Sequence, residues 1–269
     1  MKKIGVIAGD GSIPLTLINN LRSQNIMPFV ISLTYGNLLY CILNSIPHLK
    51  CSIGELSKAI EFLKINSIKE IIIIGKVFRP NFSLLKPDKE AKKLLTKIIE
   101  NKGGDNKILS TVINFLENEH DLQIIPAHEF LKELLLSNDI KSETDSNIKV
   151  DISIGINYLN KASEFDIGQA VVVRDQQIIA IEALEGTDEM LKRCVNLNKK
   201  HKYGGVLVKM PKQNQNIKID LPTIGLNTLK LADKANLNSI AIQKNKCFVV
   251  DKDKIEEFIS DKKLSLIVF

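Results

Sequence analysis

Through the first half of the chain, short apolar runs alternate with longer stretches whose hydrophobic positions recur at helical spacing. Residues 3–8 read as a strand that ends in Gly9-Asp10-Gly11, and residues 13–21 have helical spacing. Residues 27–33 read as a second strand. After a loop around Pro47, residues 54–66 place Leu56, Ile60, Leu63 and Ile65 on one face of an amphipathic helix. Residues 70–74 form a buried strand closed by Gly75. Further helices are expected over 89–99 and 107–116, a strand over 122–125 and a helix over 127–135. Strands alternating with helices imply right-handed crossovers and a mostly parallel, Rossmann-like sheet.

The pattern then changes. Residues 137–147 are polar with few apolar positions and read as a linker between an N-terminal α/β domain, 1–136, and a mixed α/β C-terminal domain, 148–269. Residues 152–163 read as a helix. Residues 169–174 and 177–183 read as a hairpin turning at Asp175-Gln176. A helix over 188–195, a strand over 205–209 and a helix over 223–235 come next. Strands near 239–242 and 247–250, a helix over 254–259 and a strand over 265–268 complete the chain.

Composition narrows the class. With 269 residues, 44% hydrophobic and 25% charged, the chain fits one large or two ordinary globular domains, and disorder is excluded for most of its length. No apolar stretch approaches the roughly 20 residues that cross a bilayer. The N-terminus turns polar at Gly9 and Asp10, too early for a signal-peptide core, so a cytoplasmic protein is expected. The net charge of +6 is spread along the chain and suits an anionic ligand or an anionic membrane face. Aromatic residues are 5% with no Trp, against a base-stacking platform, so no nucleic-acid partner is expected. The four cysteines (Cys41, Cys51, Cys194, Cys247) make no CxxC pair and the four histidines no HxxxH pair, which leaves no zinc signature and suggests reduced, structural thiols.

Several turns could carry chemistry. Gly9-Asp10-Gly11-Ser12-Ile13-Pro14 joins a strand to a helix, and helix N-termini hold phosphate well. Pro14 stands where a dinucleotide fingerprint wants a third glycine, and the second strand ends Ser32-Leu33-Thr34 without the expected acid, so an NAD-dependent oxidoreductase loses ground. A tight turn with Ser12 as N-cap explains this stretch equally well. Gly75-Lys76-Val77-Phe78-Arg79-Pro80 follows a buried strand, where Lys76 and Arg79 could neutralise a pyrophosphate. Gly103-Gly104-Asp105 joins two helices, and Asp105 reads most simply as a cap. Glu182-Ala183-Leu184-Glu185-Gly186-Thr187-Asp188 gathers carboxylates and a hydroxyl at one turn, able to hold Mg²⁺ or to cap a helix. Lys209-Met210-Pro211-Lys212 adds cations. Asp220 stands where an extended segment meets a helix, either as a cap or as a carboxylate that binds metal or activates water.

The order of these motifs, ending in Asp220-Leu221-Pro222-Thr223-Ile224-Gly225, spans almost the whole chain. It resembles the metal-dependent UDP-2,3-diacylglucosamine pyrophosphatase family of lipid A biosynthesis, the type unrelated to calcineurin-like phosphoesterases. The EGTD and DLPTIG segments are its most specific marks. The resemblance implies Mg²⁺-dependent hydrolysis of UDP-2,3-diacylglucosamine to UMP and 2,3-diacylglucosamine 1-phosphate (lipid X), with the lipid product held between two domains. It implies that Asp220 is the aspartate needed for activity. From the residues themselves, Asp220 is expected to hold Mg²⁺ or take the proton of the attacking water, with Glu185 and Asp188 as candidate further metal ligands. Gly11, Ser12, Gly75, Lys76, Arg79, Asp105, Gly186, Thr187, Lys209 and Lys212 are the expected substrate contacts. Asp10, Gln213 and Lys218 depart from the residues usual in the family and bear on fine positioning of the phosphates. A non-hydrolytic binder of nucleotide sugars or lipids is the alternative. Peripheral contact with the inner membrane follows from such a substrate. A homo-oligomer is a further expectation, with no pattern in the chain behind it.

Overall fold

Uninterrupted apolar runs become strands covered on both faces, the usual fate of strands in a parallel sheet. A computed structural model of the chain describes residues 1–77, 85–101, 103–141, 146–197, 203–213 and 216–269. Two units form: Met1–Lys132 with Asn216–Asp220, and Glu133–Gln215 with Leu221–Phe269.

In the first unit the strands are β1 (Lys3–Ala8), β2 (Met27–Ser32), β3 (His48–Lys50), β4 (Glu70–Ile74) and β5 (Gln123–Ile124). They are all parallel, in the order β3-β2-β1-β4-β5. Helices α1 (Ile13–Ser23), α2 (Tyr35–Leu43), α3 (Leu56–Ile65), α4 (Lys89–Glu100) and α5 (Asp105–His120) accompany them. Phe29, Ile31, Leu63, Ile71, Phe115 and Leu116 build a core, and Ile219 packs against it from the returning segment. The strand order runs outward from β1 in both directions, so the sheet switches direction between β1 and β4. In open α/β sheets ligands bind at the carboxyl ends of the strands at such a switch.

Two elements here have no sequence counterpart, α2 and β3. The α2 sequence is apolar nearly all round: Leu39, Ile42 and Leu43 are exposed while Cys41 is buried, so no one-sided stripe marks it as a helix. The helix expected over 127–135 is two 3₁₀ turns, Ala127–Phe130 and Lys132–Leu134.

The second unit holds β6 (Ala170–Arg174), β7 (Gln177–Ile181), β8 (Val206–Lys209), β9 (Thr223–Ile224), β10 (Ser239–Ile242), β11 (Phe248–Val249) and β12 (Ser265–Val268). Its helices are α6 (Ser146–Ala162), α7 (Thr187–Leu197), α8 (Leu226–Lys234) and α9 (Lys252–Ser260). The main sheet has the order β12-β10-β8-β6-β7, and β9 pairs apart with β11. Strands β12, β10 and β8 are parallel, whereas β6 runs antiparallel to both β8 and β7, so the sheet is mixed as expected. The turn residues Asp175 and Gln176 both take left-handed backbone, with φ of 50° and 64°, as a tight hairpin needs. The buried Asp151 carboxylate on α6 stabilises that turn. It accepts the Gln176 N–H at 2.7 Å and the Asp175 N–H at 3.2 Å.

The helix expected from residue 223 starts later. Thr223 and Ile224 pair with β11 first, and Gly225 is the N-cap of α8. Part of the polar stretch 137–147 is structured as well. Ile140 exchanges backbone hydrogen bonds with Leu266 at 2.8 and 3.1 Å, and the Asp139 carboxylate accepts the Val268 N–H at 2.7 Å. Residues 142–145 of that stretch lie outside the described residues.

Candidate functional site

At the β1–β4 switch the chain makes its turns from backbone. Asp10 and Lys76 exchange N–H···O hydrogen bonds of 2.8 Å in both directions, and Gly9 donates to the Ile74 carbonyl at 2.8 Å. This approach leaves no room for side chains. A Cβ on Gly9 would sit 2.6 Å from the Lys76 carbonyl oxygen. One on Gly75, whose φ is +93°, would sit 2.7 Å from the Pro14 ring and 2.9 Å from the Gly9 carbonyl carbon. The buried Asn37 side chain of α2 donates to the Gly9 carbonyl and ties that helix to the same turn. Gly11, at φ +107°, has open space around it. Ser12 is the N-cap of α1, but its side chain makes no capping bond, and Gly11, Ser12, Gly75 and Lys76 are all exposed. An exposed helix start beside a lysine suits an anion.

Asp220 closes a short return into the first unit. Its backbone N–H bonds the Asn216 carbonyl at 3.3 Å, and Asn216 receives the Lys218 N–H on its side chain at 3.1 Å. Asn106 and Glu117 of α5 anchor the return, accepting from the Asn216 N–H at 3.4 Å and pairing with Lys218 at 3.6 Å. Capping does not explain Asp220, because β9 and Gly225 come between it and α8.

In the second unit the site is made of side chains. Strands β7 and β8 run in the same direction, so Glu182 just past β7, Lys209 at the end of β8 and Thr187 at the start of α7 gather at one sheet edge. Lys209 lies 2.6 Å from the Thr187 hydroxyl, which lies 2.9 Å from the Glu182 carboxylate. The other Glu182 oxygen accepts the Gln169 N–H at 3.0 Å. All three side chains are buried, at 5%, 7% and 5% exposure for Glu182, Thr187 and Lys209. Gly168 takes φ +50° directly against the Glu182 carbonyl, where a Cβ would clash. Gly186, at φ +83°, faces open space. Thr187 is therefore not a simple cap; its hydroxyl is engaged inside the fold.

Residues 3–134 match the family model of the LpxI N-terminal domain, and residues 138–267 that of the LpxI C-terminal domain. A UDP-2,3-diacylglucosamine pyrophosphatase LpxI of Caulobacter vibrioides is 32% identical over 263 residues, 95% of this chain and 93% of that protein. The chain belongs to the LpxI family. The two LpxI domain models meet close to Lys132–Glu133, where the chain first passes from one unit to the other. Asn216–Asp220 lies within the LpxI C-terminal model yet belongs to the first unit.

The other residues expected to serve an LpxI site are dispersed. Glu185 pairs with Arg193 at 2.6 Å and accepts the Ala183 N–H at 3.2 Å. A hydrogen bond from its own backbone, with the Arg193 guanidinium, holds the Glu185 carboxyl below the usual range. Asp188 accepts from Asn227 at 2.6 Å and from Thr228 at 2.8 Å. Lys212 pairs with Asp166. Asp220 falls in the first unit and Glu185 and Asp188 in the second. Among the described residues no three His, Cys, Asp or Glu side chains gather as a cation set. Gly104 is the N-cap of α5, so Asp105 starts that helix instead of capping it. Arg79 and the side chain of Asp105 lie outside the described residues. Burial pushes the thiols of Cys41 and Cys51 up to about 11 and that of Cys247 up to about 12, and raises Cys194, which leaves them poor nucleophiles. Among the described residues no helix is long and apolar enough to cross a membrane.

Glu182 stands among the acids that the sequence offers for Mg²⁺, but its tie through Thr187 to Lys209 carries no signal in the sequence. Asn37 carries none either, since α2 itself is not legible.

Proposed function

We propose that this chain is a hydrolase of lipid A biosynthesis that cleaves the pyrophosphate of UDP-2,3-diacylglucosamine, releasing UMP and 2,3-diacylglucosamine 1-phosphate. The observation that carries this is the end-to-end likeness to the Caulobacter enzyme, 32% identity across 95% of the chain. The chemistry agrees. Breaking a phosphoric anhydride builds negative charge on the leaving oxygens, and cations positioned for that charge lower the barrier. Lys76, Arg79, Lys209 and Lys212 are the proposed phosphate contacts, with the starts of α1 and α7 supplying backbone N–H groups. Asp220 is the proposed catalytic carboxylate, taking the proton of the attacking water or holding the metal.

Magnesium belongs to the proposal. It needs only one or two protein carboxylates beside water and substrate phosphate, so Asp220 fits without a three-acid cluster. When bound it would neutralise phosphate charge. For Glu185 and Asp188 to join it, Arg193 and the Asn227–Thr228 pair would have to release them. Peripheral contact with the inner membrane is proposed on the ground that the substrate carries acyl chains.

Purified protein incubated with UDP-2,3-diacylglucosamine and Mg²⁺ is expected to release UMP, and EDTA is expected to stop it. Substrate binding without UMP release would leave a non-hydrolytic binder. Full activity in EDTA would remove the metal from the reading.

A further inference from the structure

We infer that Glu182 and Thr187 are positioning residues for Lys209: Glu182 accepts the hydrogen bond of the Thr187 hydroxyl, so that this oxygen, left as an acceptor, orients the buried Lys209 ammonium toward an anionic group of the substrate. The inference rests on the hydrolase reading for the identity of that group. The direction of each bond follows from what each group can donate. An ammonium only donates, and an ionised carboxylate only accepts. With Lys209 at 2.6 Å and Glu182 at 2.9 Å, the Thr187 oxygen accepts from the first and donates its single hydrogen bond to the second. Thr187 then has no proton left for a phosphate. In this arrangement the Thr187 side chain serves the substrate through Lys209.

Burial explains why such a relay is needed. A charge at 5% exposure is costly without compensation. Among the described residues Lys209 makes no direct ion pair; its counter-charge, Glu182, stands one hydroxyl away. That spacing leaves two of the three ammonium protons uncommitted to Thr187. Glu182 is itself fixed, by the Gln169 N–H at 3.0 Å and by the close seat of Gly168 on its carbonyl. Beside the relay, a Cβ on Gly186 would meet nothing within 4 Å.

The test is a double-mutant cycle in the full-length protein, comparing Thr187→Val, Lys209→Met and both together, with Thr187→Ser and Glu182→Gln alongside. Each is measured for UMP release from UDP-2,3-diacylglucosamine and, by calorimetry, for affinity toward inorganic pyrophosphate. Lys209→Met is expected to lower kcat about 100-fold, the loss typical of a removed transition-state donor. Thr187→Val is expected to cost about 10-fold, and the double variant to be no worse than Lys209→Met alone, since residues acting as a unit are not additive. Thr187→Ser, which keeps the hydroxyl, is expected to restore activity to within about threefold, and Glu182→Gln to behave like Thr187→Val. Losses that multiply in the double variant, or a serine variant no better than valine, would overturn the inference. Pyrophosphate binding gives the same cycle if the wild type releases no UMP, which would sink the hydrolase reading alone. Failure of the wild type to bind pyrophosphate would overturn the relay's purpose. A fold defect shows as a lowered thermal midpoint shared by the serine and valine variants.

Discussion

Where β1 and β4 end, in the first unit, the chain is joined backbone to backbone: Asp10 and Lys76 share two hydrogen bonds, and Gly9 and Gly75 leave no space for a Cβ. Where β7 and β8 end, in the second unit, it is joined by buried side chains running from Lys209 through Thr187 to Glu182. Both places are carboxyl edges of sheets, yet they have opposite sensitivities. Added atoms break the first and leave its exposed lysine to act in solvent. Removed charges break the second, because among the described residues no ion pair compensates the buried Lys209 directly. The first device is a backbone locked by glycine turns, and the second is a buried ammonium held through a hydroxyl.

The largest effect is expected at Asp220, which belongs to neither device. Asp220→Asn should lower kcat by about 10²–10⁴-fold, the usual worth of a positioned acid or base, while substrate still binds. UMP release beside an equilibrium binding assay checks it, and near-normal turnover removes Asp220 from the chemistry. Gly75→Ala tests the backbone device. With φ at +93° and the Pro14 ring 2.7 Å from the new methyl, it should cost about 3 kcal/mol in urea unfolding. Lys76→Met, on the same turn, should leave stability within about 0.5 kcal/mol, since surface substitutions usually do. Equal losses in the two variants would erase the contrast. In the second unit, Asp151→Ala leaves two turn N–H groups without their acceptor and should cost about 2 kcal/mol.

The smallest expected effect is a pH dependence in the first unit. Burial holds the His120 imidazole below its ordinary value, against the pull of Glu90 at 3.3 Å. The unfolded chain therefore binds the proton more tightly than the folded one. The contribution of neutral His120 is complete above the unfolded value, near 6.5, and is lost as pH falls from there through the lower folded value. His120→Gln should flatten that part of the stability profile; an unchanged slope would show that other groups set it.

Sequence was most informative where one physical cause dominated. The strands Lys3–Ala8, Glu70–Ile74, Ser239–Ile242 and Ser265–Val268 were legible to the residue or nearly so, because burial on both faces leaves an apolar run between polar ends. The hairpin at Asp175-Gln176 was legible from its spacing, though not its reliance on Asp151, a contact between distant parts of the sequence. Helix α2 was hidden because its exposed face is as apolar as its buried one. Strand β9 was hidden because two residues carry no periodicity, and only pairing with β11 makes them a strand. At the candidate site, residue types single out turns, while the partners those residues take come from elsewhere in the chain. Arg193 claims Glu185, Asn227 and Thr228 claim Asp188, and Glu182 claims the hydrogen bond of Thr187.

The excursion of Asn216–Asp220 has a bearing on the order in which the molecule can be made. Ile219 packs against the first core, and Lys218 pairs with Glu117, but both emerge from the ribosome after most of the second unit has been synthesised. A nascent N-terminal half must therefore wait with a gap in its side, and a fragment cut near residue 134 would keep that gap for good.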